Sequence, residues 1–205
     1  MKSSLDDPEL TELATGFTVR DYKTARDAKT REAIADAICR RFTDRYIDPA
    51  SDAPKKHGFT MMAISCLMIE ALESFRQGWK TTDDKGQSAF CFFFDTEDAF
   101  KEFRGYAQYF YRNVRCGILH QAEPARGWRI VRNGPLFDPN TRTINAARFL
   151  RKLRGVLNDF CDRLKGAAWD STDWKNVPEG LAANRRLVLT EGSMQLREIP
   201  LRRGR

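Results

Sequence analysis

The stretch NAARFLRKLRGVLNDFCDRLKG, residues 145–166, decides the fold class of this chain. Arginines and lysines occupy one side of the segment, and Asn145 can cap its first turn with a side-chain oxygen. The other side is apolar, with residues recurring at a spacing of three or four, as on one face of a helix: Phe149, Leu150, Leu153, Val156, Leu157, Phe160 and Leu164. The pattern predicts a helix that packs against a core and exposes a basic face.

Three further stretches have the same helical period. Residues 24–46 form one amphipathic pattern, and residues 59–79 form a long, mostly apolar pattern that ends at Gly78. A third helix is predicted to start at Asp95 and to end near His120. Its buried stripe would consist of Phe100, Phe103, Ala107, Phe110 and Val114.

The intervening segments are less regular. The aromatic run 88–94 fits either a short strand or the lead into a helix. Residues 128–145 contain Gly-Pro and Asp-Pro-Asn turn signals between short apolar stretches, which predicts a hairpin or an irregular insertion. The sequence therefore predicts a mainly α fold with an N-terminal segment (1–25), a helical bundle (26–166) and a C-terminal appendage with a basic tail (167–205).

Composition excludes several classes of protein. Five cysteines in 205 residues, none in a C-x-x-C arrangement, fit neither a disulfide framework nor a zinc ribbon. Two histidines leave few ligands for a metal, so we expect no metal and no cofactor. The first thirty residues are too charged for a signal peptide, and the apolar run 59–72 is too short and interrupted to span a membrane. These features predict a cytoplasmic protein in a reducing compartment, without a membrane partner.

Positive charge is concentrated in the second half of the chain. The net charge is +7, and residues 101–165 hold 14 basic and 5 acidic side chains, a balance of +9. Such a surface suits a polyanionic partner such as RNA, because neutralised phosphates release counterions. An ordinary solvated basic face is the alternative.

Standard phosphate-binding loops and a G-x-S-x-G nucleophile elbow are absent from the sequence, which leaves the histidines to carry any chemistry. His57 lies in the basic stretch Lys-Lys-His-Gly and is expected to be merely exposed. His120 follows Arg115 by five residues, about 140° around an ideal helix, so the two would converge only if the helix frays at Gly117. An imidazole can move a proton near neutral pH, and a guanidinium can hold a phosphate without a metal. The alternative is a histidine at a helix end with Arg115 on a solvated face.

The stretch Tyr111-Arg-Asn-Val-Arg-Cys-Gly-Ile-Leu-His120 resembles the R-x(4–6)-H motif of the HEPN superfamily. The resemblance implies a four- or five-helix bundle that forms a homodimer, with Arg115 and His120 as the catalytic pair of a metal-independent endoribonuclease. Members of this kind serve in phage defence, toxin–antitoxin systems or RNA processing. Active members usually carry a polar residue directly after the arginine, whereas this chain has Cys116.

Further residues are candidates for supporting roles. Glu70, in an apolar helix, would either pair with Arg115 or turn outward, and Cys116 is expected to be a small buried residue. Residues predicted to contact RNA are Arg112, Asn113, Arg148, Arg151 and Lys152. Two other functions remain open. The chain could be a non-catalytic module that binds nucleic acid, a nucleotide or a partner protein such as an antitoxin, or a structural helical protein.

Overall fold

The structure is a computed structural model that describes residues 7–51 and 57–183. Helices dominate it, as the sequence predicts. The α-helices are α1 (Val19–Asp27), α2 (Arg31–Phe42), α3 (Asp48–Ser51), α4 (Gly58–Gln77), α5 (Gly86–Thr96), α6 (Ala107–Phe110), α7 (Cys116–Gln121), α8 (Ala146–Gly166) and α9 (Thr172–Ala183). The strands are β1 (Glu12–Ala14), β2 (Phe17–Thr18), β3 (Arg129–Val131), β4 (Phe137–Asp138) and β5 (Thr143–Asn145). Short 3-10 helices cover Pro8–Leu10 and Asp98–Phe103, and π-helical turns cover Thr43–Ile47 and Tyr111–Arg115.

The helical pattern predicted at residues 24–46 is confirmed from Arg31 onward by α2, which buries Ile34, Ala37, Ile38 and Phe42, but the prediction of a single helix starting at residue 24 is wrong. Thr18 and Asp21 form a reciprocal capping box that begins α1 earlier, and Lys29 then adopts a left-handed φ of 54° that separates α1 from α2. Since α1 crosses the predicted boundary at residue 25, the N-terminal segment and the bundle share a helix. The short β1–β2 ladder precedes it.

The long helix α4 confirms the helix predicted from the apolar pattern at residues 59–79. Gly78, with φ of 63°, caps its end in the left-handed conformation, and Trp79 N donates to Ser74 O at 3.0 Å. By length and composition α4 could cross a membrane, but 61% of its most apolar window is buried inside the protein. Its burial accounts for its apolar composition.

The predicted helix from Asp95 to His120 is broken into pieces. The aromatic run belongs to α5, so Asp95 lies near the end of a helix and does not start one. Phe100 leaves helical geometry at φ of −120°, and Gly105 reverses the chain at φ of 80°. The apolar stripe was nevertheless identified correctly, because all five of its members are buried. Aromatic packing from several directions, rather than helix propensity, determines this path.

Residues 128–145 form a three-stranded sheet in the order β3-β5-β4, with β3 parallel and β4 antiparallel to β5. Trp128 stacks on Phe137 at 5.6 Å between ring centroids, and Phe137 stacks on Phe103 at 4.6 Å. These stacks attach the sheet to the aromatic core. Asn145 caps α8 as predicted, by accepting from Arg148 N at 3.1 Å.

The C-terminal appendage belongs to the same core up to α9. Trp174 donates from Nε1 to Leu164 O at 2.9 Å, and Trp169 stacks on Trp174 at 4.8 Å. Trp174, Val177 and Leu181 are buried. The predicted basic tail from residue 184 onward lies outside the described residues.

Candidate functional site

The candidate motif lies on a helical segment with a change of pitch. Cys116 N donates to Tyr111 O, five residues earlier, which makes residues 111–115 a π-helical turn between α6 and α7. Ala122, at φ of 60°, ends α7, and the chain then folds back along the segment. Ala125 N donates to Asn113 O at 2.7 Å, which fixes the returning loop.

Gly117 permits this return. A Cβ atom at Gly117 would lie 2.5 Å from Glu123 O and 3.1 Å from Ala125 N, both of them backbone atoms. Any larger residue would therefore push the loop away from the helix. The sequence offered one signal for this close approach, a glycine within a helical pattern.

Glu70 and Arg115 form the central contact of the candidate site. Arg115 Nε donates to Glu70 Oε1 at 2.6 Å and Arg115 Nη2 donates to Glu70 Oε2 at 3.2 Å. Glu70 is buried, and the Arg115 side chain is 19% exposed. Burial disfavours the charged guanidinium, but the hydrogen bonds and charge of Glu70 outweigh it and raise the pKa of Arg115. Of the two alternatives for Glu70, the structure has the pairing with Arg115.

Three polar side chains surround this ion pair. The guanidinium carbon of Arg115 lies 5.6 Å from the centroid of the Tyr111 ring. Cys116 interacts with both Tyr111 and Arg115, and burial raises the pKa of the Tyr111 hydroxyl. On the inner side, burial, followed by the charge of Glu70, raises the pKa of the Cys66 thiol. Sequence reasoning missed Tyr111, although its position four residues before Arg115 is the signal for this contact.

His120 lies at the other end of the segment and is exposed. In the part of the chain that the structure describes, its side chain makes no hydrogen bond or ion pair. Because Cys116–Gln121 is α-helical, the fraying at Gly117 that would bring Arg115 and His120 together does not occur. Their positions are about 140° apart around the helix axis. Within one chain, Arg115 therefore faces α4 while His120 faces solvent.

The predicted RNA-contacting residues have different surroundings. Arg112, Arg148 and Arg151 are exposed. Lys152 Nζ donates to Ala99 O at 2.7 Å, so part of its hydrogen-bonding capacity is used inside the protein. Asn113 is only 7% exposed, because the returning loop covers its turn, and this placement does not fit the prediction that its side chain contacts RNA.

Cys116 is half-buried, so it is less enclosed than the sequence suggested. Within residues 7–51 and 57–183, no group of three or more His, Cys, Asp or Glu side chains could hold a metal ion.

Comparisons of the chain with protein-family models, with curated proteins and with solved structures found no match.

Proposed function

We propose that this chain is a HEPN-type helical-bundle protein that cleaves RNA without a metal ion. The observation that carries the proposal is the presence of a fixed, partly exposed arginine and an exposed histidine on one helical segment. Glu70 holds Arg115 in place with 19% of its side chain exposed, and His120 is exposed five residues later. The mainly helical fold and the basic balance of residues 101–165 agree with it.

The chemistry assigned to the two groups is that of phosphodiester transfer. Glu70 engages two N–H groups of Arg115, while Nη1 is free of the carboxylate and can donate to a phosphate oxygen. The RNA 2′-hydroxyl attacks phosphorus, the P–O5′ bond breaks, and a 2′,3′-cyclic phosphate remains. The attacking 2′-hydroxyl loses a proton and the leaving 5′-oxygen gains one, and His120 carries out one of these transfers while water carries out the other.

A second copy of the chain would complete the site. Arg115 and His120 diverge within one chain, so the proposed site combines the arginine of one copy with the histidine of another. The outer face of α4 suits such a homodimer, because Phe59 and Leu67 are 40% and 43% exposed and recur with Ala63 and Ala71 at a spacing of four residues. The same helix carries Glu70.

A non-catalytic binding module is the second candidate. It is favoured by Glu70, whose carboxylate already compensates the charge of Arg115, and by Cys116 in the place where active members carry a polar residue. Such a module would bind RNA, a nucleotide or a partner protein such as an antitoxin without turnover.

The test is incubation of purified protein with labelled single-stranded and structured RNA in EDTA. We expect cleavage that leaves 2′,3′-cyclic phosphate ends, which His120→Ala abolishes. His57→Ala is the matched control, because His57 is also exposed and lies outside the motif. Cleavage by His120→Ala at the wild-type rate would overturn the proposal, and salt-sensitive RNA binding without cleavage would favour the binding module.

The homodimer has its own test. Mixing the inactive variants Arg115→Met and His120→Ala should restore about a quarter of wild-type activity, because each mixed dimer retains one intact pair and half of the dimers are mixed. No recovery, with mixed dimers shown to form by native mass spectrometry, would contradict a site shared between two copies.

A further inference from the structure

Three exposed arginines meet where the loop after α7 enters the small sheet. Arg126 lies in the loop, Arg129 begins β3, and Arg142 precedes β5. The RNA contacts predicted from the sequence lie on the motif segment (Arg112, Asn113) and on α8 (Arg148, Arg151, Lys152), and these three arginines are not among them. We name them the arginine surface.

Direct hydrogen bonds hold the arginine surface together. Arg129 N donates to Arg142 O at 3.0 Å, and Arg142 Nη1 donates to Arg126 O at 2.9 Å. The guanidinium of Arg142 therefore lies against the backbone of Arg126, while the three side chains stay exposed. Hydrogen bonds to backbone atoms, rather than ion pairs with carboxylates, therefore bring the three residues together.

No carboxylate neutralises these arginines in the part of the chain that the structure describes. The acidic residues nearest in sequence are Glu123 and Asp138. Asp138 accepts from Asn140 N at 3.0 Å and from Thr141 Oγ1 at 2.8 Å, and it forms no ion pair with Arg126, Arg129 or Arg142. Exposed arginines without carboxylate partners are an electrostatic feature that attracts polyanions.

Two of the three arginines occupy unfavourable backbone positions. Arg126 has φ of 54° and Arg142 has φ of 53°, in the left-handed region where glycine is the usual residue. Glycine would fit both turns with less strain, and Gly127 and Gly134 do adopt positive φ nearby. Turn geometry alone therefore does not explain why arginines stand here.

The arginine surface is attached to the segment that carries Arg115 and His120. The loop that ends at Arg126 is bound to the motif segment through Ala125 N and Asn113 O, at 2.7 Å. Next to Arg129, Trp128 packs edge-on against Phe110 at 6.3 Å between ring centroids. Two independent contacts thus hold the arginines beside the motif.

We propose that Arg126, Arg129 and Arg142 bind the sugar–phosphate backbone of RNA next to the bond that is cleaved. The identity of the polyanion rests on the proposed function. Guanidinium groups in this arrangement recognise phosphates irrespective of base sequence, so the surface provides affinity and position rather than sequence specificity.

The experiment measures RNA binding separately from cleavage. All binding is measured in EDTA in the His120→Ala background, by fluorescence anisotropy with a labelled single-stranded RNA at several salt concentrations. Arg126→Gly, Arg129→Ala and Arg142→Gly are combined in one protein. The two glycines relieve the left-handed strain, and a thermal melt confirms that the combined variant is folded.

We expect the combined variant to bind more weakly and with a shallower salt dependence. Loss of three phosphate contacts should reduce the slope of log K against log salt by about 2, since each contributes about 0.7 for a single strand. Between 50 and 200 mM salt, the wild-type surface should then lose about twentyfold more affinity than the variant. The control is Arg148→Ala with Arg151→Ala, which removes exposed charge from α8 and should change the slope less.

The outcomes separate this proposal from the catalytic one. An unchanged affinity and slope in the combined variant overturns the arginine surface, whether or not the wild-type chain cleaves RNA. Weaker binding with a shallower slope supports it, even if no cleavage is found and the catalytic proposal fails. A larger loss in the α8 control than in the combined variant would place the RNA on α8 and contradict the arginine surface.

Discussion

Two arginine–glutamate clusters share α4, and they differ in how completely the protein encloses them. Arg76 donates to Glu73 Oε1 at 3.0 Å and pairs with Glu97 Oε1 at 2.6 Å. Its guanidinium also lies 6.0 and 5.8 Å from the ring centroids of Phe93 and Phe160. Glu73 is almost wholly buried and the Arg76 side chain is 11% exposed, whereas Glu97 at the edge of the cluster is 20% exposed. We call this more enclosed group the closed cluster.

The second cluster is open on one side. Among the described residues, Arg115 has a single carboxylate partner, Glu70, and one aromatic neighbour, Tyr111. Its side chain is 19% exposed, against 11% for Arg76. A buried ion pair is by itself weak evidence for function, because desolvation offsets its attraction. Arg115 is therefore a candidate site residue because one edge of its side chain is exposed, and not because it forms an ion pair.

Matched substitutions of the two arginines should give the largest difference. Arg76→Met leaves Glu73 and Glu97 without a cation, and we expect a loss of about 3–5 kcal/mol in the free energy of unfolding. Arg115→Met leaves one carboxylate beside a partly exposed edge, for an expected loss of about 1–3 kcal/mol. Urea unfolding at pH 7 measures both. Equal losses would show that the two clusters are enclosed alike.

Next in size is the effect of the two glutamates on RNA cleavage. Glu70→Gln should loosen Arg115 and lower kcat by about 10- to 100-fold with a smaller change in KM, because small misplacements of a catalytic group are costly. Glu73→Gln is the control one turn away and should leave the kcat of the folded protein unchanged. A fall in kcat for both variants would mean that Glu70 acts only through stability.

Much of this arrangement could be predicted from the sequence, because helical period and caps are local properties. The pattern located α8, its cap at Asn145 and the end of α4 at Gly78. For Glu70 it left two alternatives, pairing with Arg115 or an outward orientation, and the structure has the pairing. The features that the sequence did not predict depend on tertiary contacts. The break at Phe100 depends on ring packing in the aromatic core, which no periodicity records.

The residues of the candidate site could be named from the sequence, but the relative positions of their side chains could not. The spacing of Arg115 and His120 predicted that they lie about 140° apart on an ideal helix, and that they converge if the helix frays at Gly117. The helix instead continues to Gln121, because the loop from Glu123 to Ala125 packs against Gly117. The arginine surface was not predicted either, because it depends on the parallel pairing of β3 with β5, which the sequence pattern does not record.

The buried carboxyl of Glu73 should also give the stability of the closed cluster a pH dependence. Burial raises the pKa of Glu73 above its usual value of 4.5, so the folded protein holds this proton more tightly than the unfolded chain does. The contribution of Glu73 to stability therefore falls as the pH rises from about 4.5 through the raised pKa. Urea unfolding between pH 4 and 7 should show a smaller decline for Glu73→Gln than for the wild type. A parallel decline would contradict the raised pKa.

The smallest expected effect concerns two cysteines beside the open cluster. Cys66 is fully buried on α4, and burial raises the pKa of its thiol, so it should resist alkylation at pH 8 in the folded state. Cys116 is half-buried on the outer side and should react faster. Peptide mapping after timed iodoacetamide treatment compares them. Faster labelling of Cys66 would mean that the inner side of the cluster opens.

The central claim is that Arg115 and His120 act as one unit on RNA. A double-mutant cycle tests it most directly, with cleavage rates in EDTA for the wild type, Arg115→Met, His120→Ala and the double variant. We predict that each single variant loses about 100-fold or more and that the double variant is little worse than either, because groups that act together are not additive. Wild-type cleavage by His120→Ala, or losses that multiply in the double variant, would contradict the account.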